Sequence, residues 1–324
     1  MRILLVSTGG TIAMKRAEGE TLSTFALESA DFVREAGMEG VEVRGHDFSR
    51  SPSSSFQTAF ASRLAAFIAA SDHDAFVVTH GTDTLEETAF YLEMVLPADR
   101  PVVLTGAMVT PDRPGADGEA NLRDALRVAA DPASAGRGVL VVFGGDIIWG
   151  LYARKVQTLK TRAFGSARGG MLGTVEAGRV LYHYGTRTHS RLDNRPGEAV
   201  ALVKVHYDIE DQFLRDAYGR YAGVVIEGLG GGRVPERLLK AVDENPDRLT
   251  LVTTRVQDGG LGDEYSFAGS YQDLSGRPIV FSPFDALKTC ILARLALGNG
   301  LDRQALADFL ASFWDPEDAG TPEG

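Results

Sequence analysis

The chain has a single cysteine and fewer basic than acidic residues. Its 324 residues include one cysteine, Cys290, so no intramolecular disulfide can form. Cys290 lies in an apolar helical pattern at 287–297, which predicts a buried thiol rather than a catalytic one. The 33 Lys and Arg against 44 Asp and Glu give a net charge of −11, which argues against binding nucleic acid through clustered positive charge. We therefore expect a protein of a reducing compartment, the cytoplasm, with no nucleic-acid partner.

The sequence also lacks long hydrophobic runs and the common metal and cofactor motifs. The apolar run after Arg2 ends within about five residues and is followed by glycines, unlike a signal peptide, and no stretch is long enough to span a membrane. The six histidines show no HExxH spacing, and no CxxC occurs. The glycine-rich segment 228–232 lacks the spacing of a dinucleotide-binding loop, and no GxxxxGK[ST] loop is present. These absences predict no metal, no cofactor and no membrane partner.

Short apolar runs bounded by glycine, proline or small polar residues predict strands that are buried on both faces. The runs lie at 3–6, 75–78, 102–104 and 139–143, and helical patterns separate them at 59–70, 85–95 and 121–130. Strands buried on both faces require parallel pairing, with helices covering the sheet. We therefore predict a larger N-terminal α/β domain, residues 1–182, with a doubly wound and mostly parallel sheet.

A smaller α/β domain is predicted in the second part of the chain. With 44% hydrophobic and 24% charged residues, the composition is that of a globular protein, and the length favours two domains. The polar segment 183–198 lacks periodicity and is predicted to be a linker. Residues 199–324 form the predicted C-terminal domain, with strands at 199–205, 222–226 and 249–253, helices at 212–218 and 235–242, and a final helix pair within 284–313.

Two loops place threonines at predicted strand ends. The sequence STGGTIA at residues 7–13 follows the first strand and presents Thr11. The sequence THGTDTLEE at residues 79–87 follows the second and presents Thr82. Ligands of open α/β sheets bind beyond the carboxyl ends of the strands, where glycines let the backbone approach closely. In the second loop, the spacing of Thr84 and Glu87 predicts a capping box at the start of a helix.

The chain offers the components of a nucleophilic site on separate segments. A threonine hydroxyl needs a neighbouring base and donors for a developing oxyanion. Besides the two threonines, the candidates are the carboxylate of Asp83, the ammonium of Lys155 and the backbone amides of Gly9, Gly10 and Gly81.

Each candidate also has a purely structural interpretation. A threonine after a glycine turn often caps a helix, and an aspartate there is stabilised by the helix dipole. A lysine is usually solvated, as is a serine-rich turn such as the one around Ser53. His80 is expected to be a structural residue at a strand end rather than a base.

Both threonine loops closely resemble the two signature loops of the threonine-dependent, bacterial-type L-asparaginases. The resemblance extends over nearly the whole chain, through the blocks 8–13, 80–89, 101–108, 116–118, 121–122, 137–142 and 288–297. It implies a cofactor-free amidohydrolase that converts L-asparagine into L-aspartate and ammonia through an acyl-enzyme, with possible glutaminase side activity. By the same resemblance, the enzyme is a homodimer or homotetramer with its sites at the subunit interface.

The resemblance also assigns roles to individual residues. Thr11 matches the first nucleophilic threonine, and Thr82, Asp83 and Lys155 match a threonine, aspartate and lysine triad. Ser53 matches the serine that contacts the substrate α-carboxylate, with Ser51 or Ser54 as alternatives. Gly10, Gly81, Thr82 and Asp83 belong to the implied substrate site, together with Glu264 as the nearest candidate for an acidic residue that a neighbouring subunit contributes.

One departure from the family pattern leaves a second function open. The family carries a tyrosine on the loop after the first threonine, whereas this chain has no tyrosine before Tyr91 and has Phe25 near that place. A phenyl ring cannot relay a proton, so Ser23, Thr24, a water or a distant tyrosine would have to replace the hydroxyl. The charged loop 14–23 is expected to close over substrate. The alternatives are an amino-acid sensor that has lost catalysis and a hydrolase of larger amides.

Overall fold

The computed structural model describes residues 1–16, 23–36, 40–166, 169–262 and 264–313. By its internal contacts the chain divides into two units, Met1–Arg191 and Leu192–Gly324. The division falls inside the segment 183–198 that the sequence predicts to be a linker, and residues 183–199 form neither helix nor strand.

The first unit is built on an eight-stranded sheet. Its elements are β1 (Arg2–Ser7), β2 (Met14–Arg16), β3 (Ser23–Phe25), α1 (Ser29–Ala36), β4 (Glu42–Asp47), α2 (Thr58–Ala70), β5 (Ala75–Thr79), α3 (Leu85–Val95), β6 (Val102–Thr105), α4 (Gly118–Ala130), β7 (Val139–Phe143), β8 (Asp146–Trp149), β9 (Ala153–Lys155), β10 (Phe164–Ser166), β11 (Met171–Glu176) and β12 (Arg179–Tyr182). The strand order is β12-β11-β8-β7-β6-β5-β1-β4. The five strands from β7 to β4 pair in parallel, and β8, β11 and β12 pair antiparallel.

The four strands that the apolar runs predicted form the centre of this sheet. Every residue of β5, β6 and β7 is buried, as is all of β1 except its first residue. Helices α2 and α3 contact each other, and so do α1 and α4. The prediction of a mainly parallel sheet whose central strands are buried on both faces is therefore confirmed.

Strands β4 and β8 were not predicted, for different reasons. β4 is an edge strand, mostly exposed, and its register with β1 depends on backbone hydrogen bonds rather than on an apolar pattern. β8 follows a two-residue turn, Gly144 and Gly145, with φ of 60° and 82°. Two glycines with positive φ are a strong hairpin signal, so the antiparallel β7–β8 pair was detectable from the sequence.

Two small hairpins lie outside the large sheet. β2 pairs with β3 and β9 pairs with β10, both antiparallel. Neither hairpin was predicted, because strands of three residues carry no measurable periodicity. Each lies close in sequence to a predicted site residue: β2 begins three residues after Thr11, and β9 ends at Lys155.

The second unit has a smaller sheet in which all strands are parallel. Its elements are β13 (Val200–Lys204), α5 (Asp211–Arg220), β14 (Gly223–Gly228), α6 (Glu236–Asp243), β15 (Leu249–Thr254), α7 (Tyr271–Ser275), β16 (Val280–Phe281), α8 (Ala286–Gly298) and α9 (Arg303–Ala311). The strand order is β13-β14-β15-β16. The predicted strands and helices of this region occur, and only the short α7 and β16 were missed.

The core of the second unit lies between its sheet and two helices. Leu214 and Tyr218 of α5 pack in one buried cluster with Leu238 of α6 and Ile226 of β14. Helix α8 contacts β13, β14 and β15. Cys290, on α8, is half-buried rather than fully buried as the apolar pattern predicted.

Candidate active site

The two threonine loops leave neighbouring strands at the same edge of the large sheet. β1 and β5 are adjacent and parallel, with Ser7 in register with Thr79. Beyond this pair, Thr8 donates two hydrogen bonds to the carbonyl of Thr79, from its backbone amide at 3.0 Å and from its hydroxyl at 2.9 Å. The loops that carry Thr11 and Thr82 therefore begin side by side.

Backbone-to-backbone contact holds these loops together. Gly10 has a φ of 81°, and a Cβ built on it would lie 2.4 Å from the Cα of Gly81. A Cβ on Gly81 would in turn lie 2.6 Å from Oγ of Ser53. A side chain on Gly10 would collide with backbone, so glycine is required there, whereas a side chain on Gly81 would displace the side chain of Ser53. The junction brings three segments into contact: the turn after β1, the turn after β5 and the turn that contains Ser53.

Thr11 begins a single turn of 3-10 helix, Thr11–Ala13, directly after this junction. The turn is closed by a 3.0 Å hydrogen bond from the amide of Ala13 to the carbonyl of Gly10. Ile12 is buried and lies so close to Gly118 that a Cβ there would be 2.9 Å from its side chain. Thr11 itself is half-buried, so its position is fixed by backbone while its side chain stays partly accessible.

Lys155 joins the second threonine to the neighbouring carboxylate. Its Nζ donates to Oγ1 of Thr82 at 2.9 Å and to Oδ1 of Asp83 at 2.9 Å. Thr82 is buried, the Lys155 side chain is 20% exposed and the Asp83 side chain is 63% exposed. An ammonium held against a hydroxyl oxygen stabilises the deprotonated form of that oxygen, and the open carboxylate can accept a further donor. The Thr82 hydroxyl, held by this ammonium, can therefore relay a proton between two bound groups.

Ser53 is buried and its hydroxyl has no hydrogen-bond partner within the described part of the chain. It begins a 3-10 turn, Ser53–Ser55, and its Oγ faces Gly81. Of the two sequence alternatives, Ser51 is half-buried and Ser54 is exposed. A buried hydroxyl without a partner is uncommon in proteins and needs an explanation. A polar ligand that binds at this junction would supply one.

The predicted capping box at the start of α3 is wrong. Thr84 is the residue before the helix, but its side chain makes no capping hydrogen bond. Its hydroxyl donates instead to the carbonyl of Ser53 at 2.9 Å. The hydroxyl therefore links the second loop to the serine turn, an interaction between residues that are distant in sequence and that a local motif cannot indicate.

His80 is fully buried, in accordance with the structural role expected for it. Its Nδ1 lies 2.7 Å from the carbonyl of Gly81, and its Nε2 lies 3.0 Å from Oγ1 of Thr88. A carbonyl only accepts, so Nδ1 carries the proton and Nε2 accepts from the threonine hydroxyl. Burial lowers the pKa of His80 to about 4, against an opposing effect of the Gly81 carbonyl. The neutral ring thus holds the carbonyl directly before Thr82.

Asn121 and Asp117 fix the loop that follows β6. The Asn121 amide donates to the carbonyl of Gly106 at 3.0 Å, and its oxygen accepts from the amide of Gly144 at 2.9 Å. Asp117 accepts from the amides of Met108 and Val109 at 3.0 Å and 2.9 Å. Sequence reasoning included Asn121 and Asp117 in matching blocks but assigned them no role. Their signal was a short polar residue at the start of a helix.

The segment after Thr11 is described only in part. Residues 14–16 and 23–25 pair as a hairpin, with Met14 in register with Phe25, within the region that the sequence predicted as a loop closing over substrate. The hairpin is attached at its base, where the carbonyl of Ala13 accepts from the amides of Ala26 and Leu27. Residues 17–22, which include most of the predicted closing loop, and the Phe25 side chain lie outside the described residues.

Two further predictions concern residues and ligands beyond this group. Glu264 lies exposed in the second unit. In the part of the chain that the structure covers, no group of three His, Cys, Asp or Glu residues could hold a metal ion. None of the helices described is both long and apolar enough to cross a membrane.

Comparisons with known proteins agree with this geometry. The family model described as "Asparaginase, N-terminal" matches residues 2–187. A "Probable L-asparaginase" of Deinococcus radiodurans is 37% identical over 312 residues, covering 94% of this chain and 95% of that protein. An "L-asparaginase" of Bacillus licheniformis is 31% identical over 322 residues, covering 96% of each.

The fold comparison gives the same result. The thermostable L-asparaginase from Thermococcus kodakarensis superposes with a TM-score of 0.85 at 27% identity, covering 96% of this chain and 97% of that one. This α/β fold therefore has a counterpart in a protein named as an L-asparaginase. The chain belongs to the asparaginase family.

Proposed function

We propose that this protein hydrolyses the side-chain amide of L-asparagine to L-aspartate and ammonia. One observation supports this proposal above the others: Lys155 bridges the hydroxyl of Thr82 and the carboxylate of Asp83, at 2.9 Å each. The bridge lies next to the junction of Gly10 and Gly81, from which Thr11 follows by one residue. A second hydroxyl, a proton acceptor and close backbone amides are the parts that amide hydrolysis needs.

The substrate is held by its α-substituents. The buried hydroxyl of Ser53, which has no partner of its own in the described structure, donates to the α-carboxylate. The exposed Asp83 carboxylate accepts from the α-ammonium, a charge-assisted contact that selects an amino acid over a simple amide. The backbones of Gly10 and Gly81 border the same space. Ser54 is a weaker candidate because it is exposed.

The reaction proceeds in two steps. The oxygen of Thr11 attacks the side-chain carbonyl carbon, its proton passes to the amide nitrogen, and a tetrahedral intermediate forms with its oxyanion on backbone amides. The C–N bond then breaks, ammonia leaves with the proton, and an ester to Thr11 remains. Water attacks this ester, the Thr82 hydroxyl relays the water proton to the Thr11 oxygen, and the ester C–O bond breaks, which restores the threonine hydroxyl and releases aspartate after its carboxyl proton passes to solvent. The Lys155 ammonium holds Thr82 in place for this relay. No cofactor takes part.

A second copy of the chain completes the site in this proposal. Glu264 is exposed on the second unit and would reach the substrate of a neighbouring subunit, which requires a homodimer or homotetramer. The single cysteine supports a reducing compartment such as the cytoplasm. The relatives named above are described as L-asparaginases, and none of them as a sensor without catalysis.

The test is ammonia release by the purified protein with asparagine and, separately, glutamine. We expect turnover of asparagine, with loss of at least about 10³-fold in Thr11→Ala and partial retention in Thr11→Ser, which keeps a hydroxyl. Ser53→Ala should raise KM. Ser55→Ala should not, because Ser55 lies two residues further along the same 3-10 turn and is exposed. Binding of asparagine by calorimetry without any ammonia release would refute the proposal in favour of the sensor.

A further inference from the structure

The position of Lys155 depends on a hairpin that is separate from the large sheet. Lys155 is the last residue of β9, and within the described residues β9 pairs with β10 alone, with Lys155 opposite Phe164. The lysine must nevertheless reach two atoms on the loop after β5, both at 2.9 Å. Something must therefore hold this hairpin against that loop.

Glu86 makes this connection. It lies in the first turn of α3, three residues after Asp83, and its Oε2 accepts a hydrogen bond from the backbone amide of Lys155. The contact joins residues 69 positions apart in sequence. Lys155 is thus held at both ends by one short segment: its backbone by Glu86, and its ammonium by Thr82 and Asp83.

This two-ended attachment restricts the lysine more than either contact alone. The ammonium lies at the end of a flexible four-carbon chain, so its distance from both partners also depends on where the Lys155 backbone lies. With the backbone amide fixed to the helix that follows the loop, the loop and the lysine move as one body. Hydrogen bonds weaken steeply beyond about 3.2 Å, so a shift of 1 Å would break both ammonium contacts together.

A second anchor holds the connection between the two strands of the same hairpin and serves as a comparison. Arg162 donates from Nε and Nη2 to the two carboxylate oxygens of Asp146, at 2.6 Å and 2.7 Å. Asp146 lies on β8 and is buried, so this pair attaches the hairpin to the large sheet. The pair attaches the hairpin without contacting Lys155. A substitution at Arg162 therefore tests the attachment of the hairpin separately from the position of the lysine.

We propose that Glu86 is a positioning residue for the amide hydrolysis: its carboxylate fixes the Lys155 backbone so that the ammonium bridges Thr82 and Asp83. This inference rests on the proposed function for its kinetic test. The role predicts a defect in the chemical step rather than in substrate binding, because Glu86 contacts the lysine and not the substrate. It also predicts that any side-chain acceptor of the same length suffices.

The kinetic experiment compares Glu86→Ala, Glu86→Gln and Glu87→Ala with the wild type. Glu87 is the other acidic residue of the first turn of α3, so its replacement removes the same charge from the helix N-terminus. We expect Glu86→Ala to lose about 10- to 100-fold in kcat with KM within about threefold. Glu86→Gln should recover most of kcat and keep the wild-type pH profile, and Glu87→Ala should stay within about threefold. Equal activity of Glu86→Ala and Glu87→Ala, or an equal loss in both Glu86 variants, would overturn the proposal.

A second measurement does not depend on activity. Hydrogen exchange should show the Lys155 amide protected in the wild type and in Glu86→Gln, and exchanging at least about tenfold faster in Glu86→Ala. Unchanged exchange in Glu86→Ala would overturn the contact, even if the protein proved to have no asparaginase activity. If instead the wild type releases no ammonia but the amide responds as expected, the proposed function fails and the structural link remains. Arg162→Gln should lower the thermal midpoint without accelerating exchange at Lys155.

Discussion

Acidification should destabilise the folded protein through one buried imidazole, that of His80. The folded state keeps this ring neutral, with Nδ1 donating to the Gly81 carbonyl and Nε2 accepting from Thr88. Burial lowers the pKa of His80 from 6.5 to about 4. Between these two pH values the unfolded chain binds a proton that the folded chain does not. The stabilisation is therefore complete above pH 6.5 and is lost as the pH falls toward 4.

The size of this effect follows from the two pKa values. Each pH unit between them corresponds to about 1.4 kcal/mol, so the full loss is about 3 kcal/mol. By pH 4.5 about 2.5 kcal/mol of it should already be lost. This is a large part of the free energy of unfolding of an ordinary domain, which is about 5–15 kcal/mol.

Urea denaturation followed by circular dichroism at pH 7.5, 6.5, 5.5 and 4.5 measures the loss. The wild type is compared with His80→Gln, which cannot titrate, and with His183→Gln, which removes an exposed histidine. The carboxylates titrate in all three proteins, so only the difference between pH profiles is interpreted. We expect the wild type and His183→Gln to lose about 2.5 kcal/mol more than His80→Gln between pH 7.5 and 4.5. Parallel profiles for all three proteins would show that His80 does not stay neutral in the folded state.

Four single substitutions, one of them a control, have expected outcomes. Gly10→Ala places a Cβ 2.4 Å from the backbone of the second loop and should abolish ammonia release, with a destabilisation of more than about 2 kcal/mol in urea. Gly115→Ala, at a similar φ of 80° but with nothing within 4 Å, should cost only about 1 kcal/mol and keep the activity. Lys155→Met should lower kcat by about 10²- to 10⁴-fold in the ammonia assay; activity within threefold of wild type would contradict the bridge. Tyr218→Phe removes a buried hydroxyl that lies 2.9 Å from Thr250, and should lower the free energy of unfolding by about 1 kcal/mol without changing KM.

The sequence predicted those parts of the fold in which burial determines the type of side chain. A strand buried on both faces must be apolar throughout, and β5, β6 and β7 are fully buried. The edge strand β4 has no such requirement, because it is mostly exposed and is held by its backbone. Its sequence therefore carries no signal that a periodicity argument could use.

Some features of the candidate site were likewise predicted from the sequence, and others were not. Gly10 and Gly81 were expected to allow close backbone approach, and the structure gives Gly10 a backbone contact that excludes a side chain. The bridge from Lys155 crosses more than seventy positions of sequence, and only the family resemblance indicated it. The Glu86 contact was missed altogether, because it pairs a carboxylate with a backbone amide, and every residue type has such an amide.

At the junction, Gly10 contacts the backbone of Gly81 directly, so the geometry of this contact does not depend on any side-chain rotamer. A methyl group on Gly10 would collide with backbone, so a change of neighbouring side chains does not make room for it. Substitutions intended to change substrate preference should therefore keep Gly10 and Gly81 and vary the side chains around them instead.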